Sequence, residues 1–296
     1  MLPKMIVVAG TTASGKSDLG VELAAHYGGE VISADSRQVF RGLDLGSGKI
    51  TPEETRGIPH HLIDVCDAGS FFSMADFQKL AYEAIDDVIA RGKLPFLVGG
   101  TGLYIASVAD GYVMSDRMPD LAYRAELEKL TTEELYVMLR SLMPDTDVDP
   151  RNRNRVMRVL EKIHDGDDVA PSKQARYETL RLGVTWDRAV VRKRIDERLD
   201  RRIELGMIEE VKGLLDAGVS EEYMIKLGLE YKFITQYLRG DYQTLEEMKG
   251  LLATAIKQFA KRQMIWFRRD SSIQWLDMEN DPMKQACELI DAFLQQ

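Results

Sequence analysis

A short apolar, β-branched run, Met5–Ala9 (MIVVA), stops at Gly10 and opens the segment GTTASGKS, Gly10–Ser17. This full match to G-x-x-x-x-G-K-[ST] constrains the fold more than any other feature, because a phosphate-cradling loop needs a buried strand before it and a helix after it. MIVVA reads as a strand covered on both faces, and Leu19, Leu23 and Tyr27 supply the apolar face of the helix that follows. Glycines let backbone N–H groups curl round phosphate oxygens, so Gly10, Thr11, Thr12, Ala13, Ser14, Gly15, Lys16 and Ser17 are candidate diphosphate-binding residues. Lys16 brings a point charge and Ser17 a hydroxyl able to ligate Mg²⁺. Such a loop specifies a diphosphate or triphosphate, not a reaction.

The next segments extend the same pattern. Glu30–Ser33 reads as a strand that delivers Asp35 just past its carboxyl end; residues 71–90 read as a helix through Phe77, Leu80, Ala84, Ile85 and Val88. Pro95–Val98 is a further buried strand, followed by Gly99, Gly100 and Thr101. The expected fold class is therefore α/β, a P-loop NTPase-like parallel sheet flanked by helices, with Gly10, Asp35 and Thr101 on its one ligand-binding edge. No acid stands where Phe96, Leu97 and Val98 lead into Gly99, the usual place of a metal-holding aspartate in nucleotide hydrolases. That absence suits diphosphate as a leaving group better than a phosphoryl donor.

Beyond about residue 110 the pattern is helical. Thr131 and Glu134 form a capping-box pair, and residues 154–164 place Val156, Val159, Leu160 and Ile163 on one face with Arg151, Arg155, Arg158 and Lys162 on another. Leu180–Thr185 returns a strand to the sheet, and long helices are predicted over Arg188–Ala217 and Leu245–Phe267. The expected organisation is a core of residues 1–111 and 151–296 with a smaller helical insertion over 112–150.

Charge is distributed unevenly. The formal net charge is -9, yet Arg151–Arg202 holds fifteen Lys and Arg against nine Asp and Glu, and Lys257–Arg269 holds five Lys and Arg with no acid. The chain is an acidic body with two basic bands, which are either solvated helix faces or the grip on a phosphate polymer. Cys66 and Cys287 have no Cys or His neighbour at metal-ligand spacing, and adjacent His60 and His61 read as structural hydrogen bonders, since neighbouring residues seldom share a metal. The apolar run near the start is too short for a secretory signal or a membrane span, so a cytoplasmic protein is expected.

Taken together, GTTASGKS, DSRQVFRGLDLGSGK (Asp35–Lys49), HHLID (His60–Asp64), GGTGLY (Gly99–Tyr104), RNRNRVMRVLE (Arg151–Glu161) and AKRQMIWFRR (Ala260–Arg269) resemble, in order, the tRNA dimethylallyltransferases, also called tRNA isopentenyltransferases. The set spans nearly the whole chain. Departures are Thr11-Thr12 where the family usually has Pro-Thr, Arg37 where it usually has Met, a loose match over Gly228–Lys232, and a short insertion.

The resemblance implies a prenyl transfer from dimethylallyl diphosphate to N6 of the adenosine on the 3′ side of a tRNA anticodon, with Mg²⁺ as cofactor. Asp35 is then the base, Thr101 lies beside the leaving oxygen, and Lys16 with Arg194 and Arg198 stabilises the leaving diphosphate. Asp35, Ser36, Arg37, Gln38, Thr101, Arg124, Arg151, Arg155, Arg158, Lys261 and Arg262 become candidate contacts to the anticodon stem-loop. A monomer is expected, because nothing in the sequence points to a subunit interface. The rival readings are a P-loop small-molecule kinase with a lid-like insertion, for which the basic bands have no use, and an RNA-binding nucleotide switch without covalent chemistry.

Overall fold

The computed structural model describes residues 2–114, 120–167 and 172–296. In chain order the elements are β1 (Lys4–Ala9), α1 (Lys16–His26), β2 (Glu30–Ala34), β3 (Phe40–Arg41), β4 (His60–His61), β5 (Cys66–Asp67), α2 (Met74–Ala90), β6 (Pro95–Gly99) and α3 (Gly102–Ala109). Next come α4 (Leu121–Glu128), α5 (Thr132–Leu142) and α6 (Arg153–His164). The chain then continues through β7 (Glu178–Thr185), α7 (Arg188–Glu204), α8 (Met207–Asp216), α9 (Glu221–Leu227), α10 (Leu229–Leu238), α11 (Leu245–Phe267), β8 (Ile273–Asp277) and α12 (Pro282–Leu294).

One sheet of six strands runs in the order β4-β2-β6-β1-β7-β8, and every pairing is parallel. The alternation along β1 explains why a continuous apolar run is needed there. Ile6 and Val8 pack with Leu19 and Leu23 of α1 and Ile290 of α12, whereas Met5 and Val7 point into the opposite layer with Phe77 and Ile85 of α2 and Val108 of α3. Full burial of each such side chain contributes about 1.5–3 kcal/mol. A third core joins Val39, Phe40 and Leu43 to Ile195, Val211, Tyr231, Leu252 and Ile256 of the helical layer α7–α11. The α/β parallel architecture thus agrees with the sequence pattern.

Several features depart from it. The helix expected over Arg188–Ala217 is two helices, because Gly206 adopts φ 100 and breaks the ladder between α7 and α8. The chain divides into a unit of Met1–Gly111 with Ala175–Gln296 and a unit of Tyr112–Gln174, so the division falls at 174 and not at 150. The reason is α6: its face of Val156, Val159 and Leu160 buries against Leu127, Leu135 and Leu139 of α4 and α5. Arg151, Arg155 and Arg158 therefore belong to the smaller unit. Its capping box is present, with Thr131 Oγ1 accepting from the Glu134 amide at 3.2 Å and the Glu134 carboxylate accepting from the Thr131 amide at 2.7 Å.

At the amino end of β2 the buried Glu30 carboxylate accepts hydrogen bonds from Arg91 and from Lys93 (2.7 Å), and His61 Nε2 lies 2.7 Å away. His60 Nδ1 sits 2.8 Å from the Ile58 carbonyl, so both histidines serve structural hydrogen bonding. The Arg91 guanidinium, helped by Lys93 and His61, holds the Glu30 carboxyl well below the usual carboxylate range against the opposing cost of burial. A depressed folded-state pKa gives stability that is full above the unfolded value and lost as pH falls. Glu30→Ala should lower the urea-unfolding free energy by about 2–3 kcal/mol near neutral pH, and the gap to the parent should narrow as pH drops below about 4. An unchanged midpoint at pH 7 would show that the cluster contributes nothing.

Candidate active site

The phosphate loop is folded by local necessity. A Cβ on Gly10 would lie 2.4 Å from Val184 Cγ2 and 2.6 Å from Ser14 Oγ, so only glycine fits where β1 turns. Ala13 (φ 58) and Gly15 (φ 81) take left-handed conformations that curl the loop ahead of α1. Ser14 Oγ donates to the Thr11 carbonyl at 2.8 Å. From outside, Trp186 Nε1 donates to the Ser14 carbonyl (2.8 Å) and Arg194 Nε to the Ala13 carbonyl (2.9 Å), with the Arg194 guanidinium 5.1 Å from the Trp186 ring centre. Gln263 of α11 accepts from the Thr12 amide at 2.9 Å and donates to the Gly100 carbonyl at 2.8 Å, tying the loop to the turn after β6.

A cleft of about 730 Å³ opens between this loop, the segment 44–54 and α7. Ala13–Ser17, Arg194 and Arg198 line it, together with Arg201, Arg202, Lys49 and the acids Asp18, Asp44, Glu53, Glu54 and Glu197. Arg198 Nη2 donates to the Gly48 carbonyl at 3.3 Å, and Arg202 pairs with the Glu230 carboxylate at 3.5 Å. A Cβ on Gly48 would stand 1.5 Å from Arg202 Nη2 and 2.2 Å from Arg198 Nη2, so this glycine is the floor under both guanidinium groups.

These cations are crowded and poorly solvated. Burial lowers the Lys16 pKa to about 8, with Arg198 and Arg202 adding to the effect and Asp35 opposing it. Burial, reinforced by Arg202, likewise lowers Arg198 to about 10. Burial also lowers Arg202, against the pull of Glu230 and Asp35, while burial raises the Glu230 carboxyl. Three buried cations inside one cleft, with Arg202 depressing both Lys16 and Arg198, make a site of positive potential, and an anion placed there relieves it.

The second group of candidates stands on the adjoining strand ends. Ala9 of β1 and Ala34 of β2 both pair with Gly99 of β6, which brings the turns holding Gly10, Asp35 and Thr101 side by side. Asp35 Oδ1 accepts from the Arg37 amide at 2.9 Å, so it does cap its own turn. It is also near enough to Lys16, Arg198 and Arg202 for its charge to act on all three. Thr101 occupies the N-cap position of α3 without making a side-chain cap bond; its Oγ1 instead accepts from the Ser36 amide at 3.0 Å. Gln38 Nε2 donates to the Gly48 carbonyl at 3.2 Å, whereas the Arg37 guanidinium donates to the Leu227 carbonyl at the end of α9. Asp35, Ser36 and Thr101 lie outside the lining of the cleft itself.

The remaining candidates are dispersed. In the smaller unit, Arg124 and Arg158 flank the buried Glu161 at 3.7 and 3.1 Å, Arg151 pairs with Asp149 at 2.9 Å, and Arg155 is exposed. In the larger unit, Lys261 and Arg262 are exposed on α11. Trp266 is 42% exposed with its indole over Gly102, while Phe267 is buried. Trp186, Gln263, Arg202 and Glu230 hold the site yet were not singled out from the sequence. The loose match at Gly228–Lys232 contained the only hint of Glu230.

Lys16 binds an anion in its charged form, so raising pH through about 8 removes the attraction. The dissociation constant for inorganic diphosphate, measured by calorimetry, should rise by up to about tenfold per pH unit above that point, and Lys16→Met should abolish this slope. A pH-independent affinity between pH 7 and 10 would contradict the assignment of Lys16 to the anion.

Comparison with known proteins places this geometry. The profile of the IPP transferase family matches residues 38–270. The chain is 45% identical to tRNA dimethylallyltransferase 2 of Shewanella sediminis, covering 97% of each. It is 41% identical to the tRNA dimethylallyltransferase of Carboxydothermus hydrogenoformans, covering 98% of this chain and 97% of the relative. Among solved structures, it resembles the tRNA isopentenylpyrophosphate transferase of Bacillus halodurans with a TM-score of 0.75 at 39% identity, over 99% of this chain and 96% of that one. It also resembles a eukaryotic dimethylallyltransferase acting on tRNA with a TM-score of 0.85 at 26% identity, over 99% and 80% of the two chains. The kinase and nucleotide-switch alternatives find no support among these relatives, and with a family profile spanning most of its length the chain belongs to the tRNA dimethylallyltransferase family.

Proposed function

We propose that this protein transfers a dimethylallyl group from dimethylallyl diphosphate to N6 of the adenosine on the 3′ side of a tRNA anticodon, releasing diphosphate. The observation that carries the reading is the placement of the Asp35 carboxylate beside a cationic phosphate cradle, on strand ends held in register. The exocyclic amine of adenine is a weak nucleophile, because its lone pair is delocalised into the ring. It forms the N–C bond to the first prenyl carbon as that carbon's bond to the diphosphate oxygen breaks, and Asp35 takes the amine proton. Thr101, bonded to Ser36, orients the edge on which the adenosine rests, and Gln38 reads it from the same turn.

The leaving oxygens meet the loop amides, Lys16, Arg194 and Arg198, so charge that develops on diphosphate is met by groups already oriented. Ser17 lines the same cleft, and its hydroxyl with phosphate oxygens makes a hard oxygen donor set that fits Mg²⁺. The ion, when bound, would neutralise the departing diphosphate. Burial of the five-carbon tail contributes on the order of 4 kcal/mol, at about 0.8 kcal/mol per carbon.

The basic residues Arg124, Arg151, Arg155, Arg158, Lys261 and Arg262 supply phosphate contacts for the anticodon stem-loop, whose target base must leave its stack to reach Asp35. Among the described residues no helix is long and apolar enough to cross a membrane. A cytoplasmic monomer is the working form we infer.

Incubation of the purified protein with labelled dimethylallyl diphosphate, Mg²⁺ and unmodified tRNA should place label in RNA, and its absence would defeat the reading. Asp35→Ala should lower turnover by about 100-fold or more, with tRNA affinity retained. Full activity in that variant would remove Asp35 from the role of base.

A further inference from the structure

Asp44, Leu45 and Gly48 line the cleft, and a carboxylate outside its lining holds the segment that carries them. Glu210, in the first turns of α8, accepts from three consecutive backbone amides: Asp44 (3.1 Å), Leu45 (2.6 Å) and Gly46 (3.0 Å). Its other partner is the hydroxyl of the buried Tyr231, at 3.1 Å. A Cβ on Gly46 would lie 2.6 Å from Tyr231 Cζ, so the segment also rests on the tyrosine ring. Three convergent N–H groups form a small anion nest, here filled by a side chain of the protein itself.

The segment then turns, with the Gly48 amide donating to the Leu45 carbonyl at 3.1 Å. The Gly48 carbonyl accepts from both Arg198 Nη2 (3.3 Å) and Gln38 Nε2 (3.2 Å). One carbonyl thus holds both Arg198, which lines the cleft, and Gln38, which stands in the turn after Asp35. Lys49 braces the same stretch through the Phe40 carbonyl, Asp44 and Asp64, but those partners belong to the loop and its own flanks. Glu210 links it to the helical layer that carries Arg198.

We infer that Glu210 is a positioning residue: by clamping the amides of residues 44–46 it sets the Gly48 carbonyl, and through it Arg198 and Gln38 together. This rests on the prenyl-transfer reading above for its consequence, but its geometry is testable without that reaction. Glu210→Gln keeps the size of the side chain and turns one acceptor into a donor facing an N–H. Val211→Ala, a neighbouring core truncation on the same helix, is the control for simple loss of stability.

Hydrogen exchange and calorimetry with inorganic diphosphate are read on the full chain. Glu210→Gln should speed exchange of the amides of residues 44–46 at least tenfold, and weaken diphosphate binding at least fivefold. It should also raise the KM for dimethylallyl diphosphate more than it lowers kcat, while Val211→Ala does none of these. Retained amide protection, diphosphate affinity within twofold of the parent, a KM change no larger than the kcat change, or the same losses in Val211→Ala would each overturn the inference. If the parent protein labels no tRNA, the enzymatic reading fails while exchange and diphosphate affinity still decide the role of Glu210. If the parent does not bind diphosphate, both fall.

Discussion

Everything at the active edge depends on the backbone register of three neighbouring parallel strands. Gly99 of β6 pairs with Ala9 of β1 on one side and with Ala34 of β2 on the other, so three turns leave the sheet at the same level. A slip of one residue in any strand would exchange its buried faces and move its turn out of line. The register is secured by burial on both sides of the sheet, because β1, β2 and β6 are nearly or fully covered along their lengths. It is further locked where strands crowd: a Cβ on Gly99 would lie 2.1 Å from the Ala34 carbonyl oxygen. Close packing of backbone thereby becomes alignment of chemistry.

On that edge the protein gathers more buried positive charge than it neutralises. Burial lowers the proton affinity of Lys16, Arg198 and Arg202, Arg202 adds to the effect on the other two and Arg198 to that on Lys16, and Asp35 and Glu230 offset this only in part. Holding such a cluster costs folding free energy, and the surrounding layers must supply it: the Glu230 pairing, the Gly48 floor and the carbonyls that receive Arg194 and Arg198. The strain is released when an anion enters. A departing diphosphate, whose charge grows along the reaction coordinate, is the ligand for which this arrangement is most useful.

Different parts of this were legible to different degrees. β1, the phosphate loop and the ends of β2 and β6 were readable because continuous apolar runs stopping at glycine have few alternative meanings. The capping box at Thr131 was equally plain, since it is a contact between residues three apart. The division between α7 and α8 was hidden, as apolar positions continue through Leu205 and only the left-handed Gly206 breaks the helix. The limits of the smaller unit were misplaced for a related reason. α6 has a strong apolar face, and nothing local says which neighbours will cover it.

Sequence alone thus determined the chemistry available: a phosphate loop, an aspartate after the second strand, two basic bands, and an ordered set of motifs shared with a known family. These are local or collinear properties, set by residue type and spacing. Tertiary structure alone decided which side chains meet. Trp186 and Gln263 brace the phosphate loop from 172 and 251 residues away along the chain, and Glu210 seizes amides 164 to 166 residues before it. Pairings at such separations leave no periodic trace in a single sequence, because the free energy that selects them comes from the packing of whole layers and not from any segment's own preference.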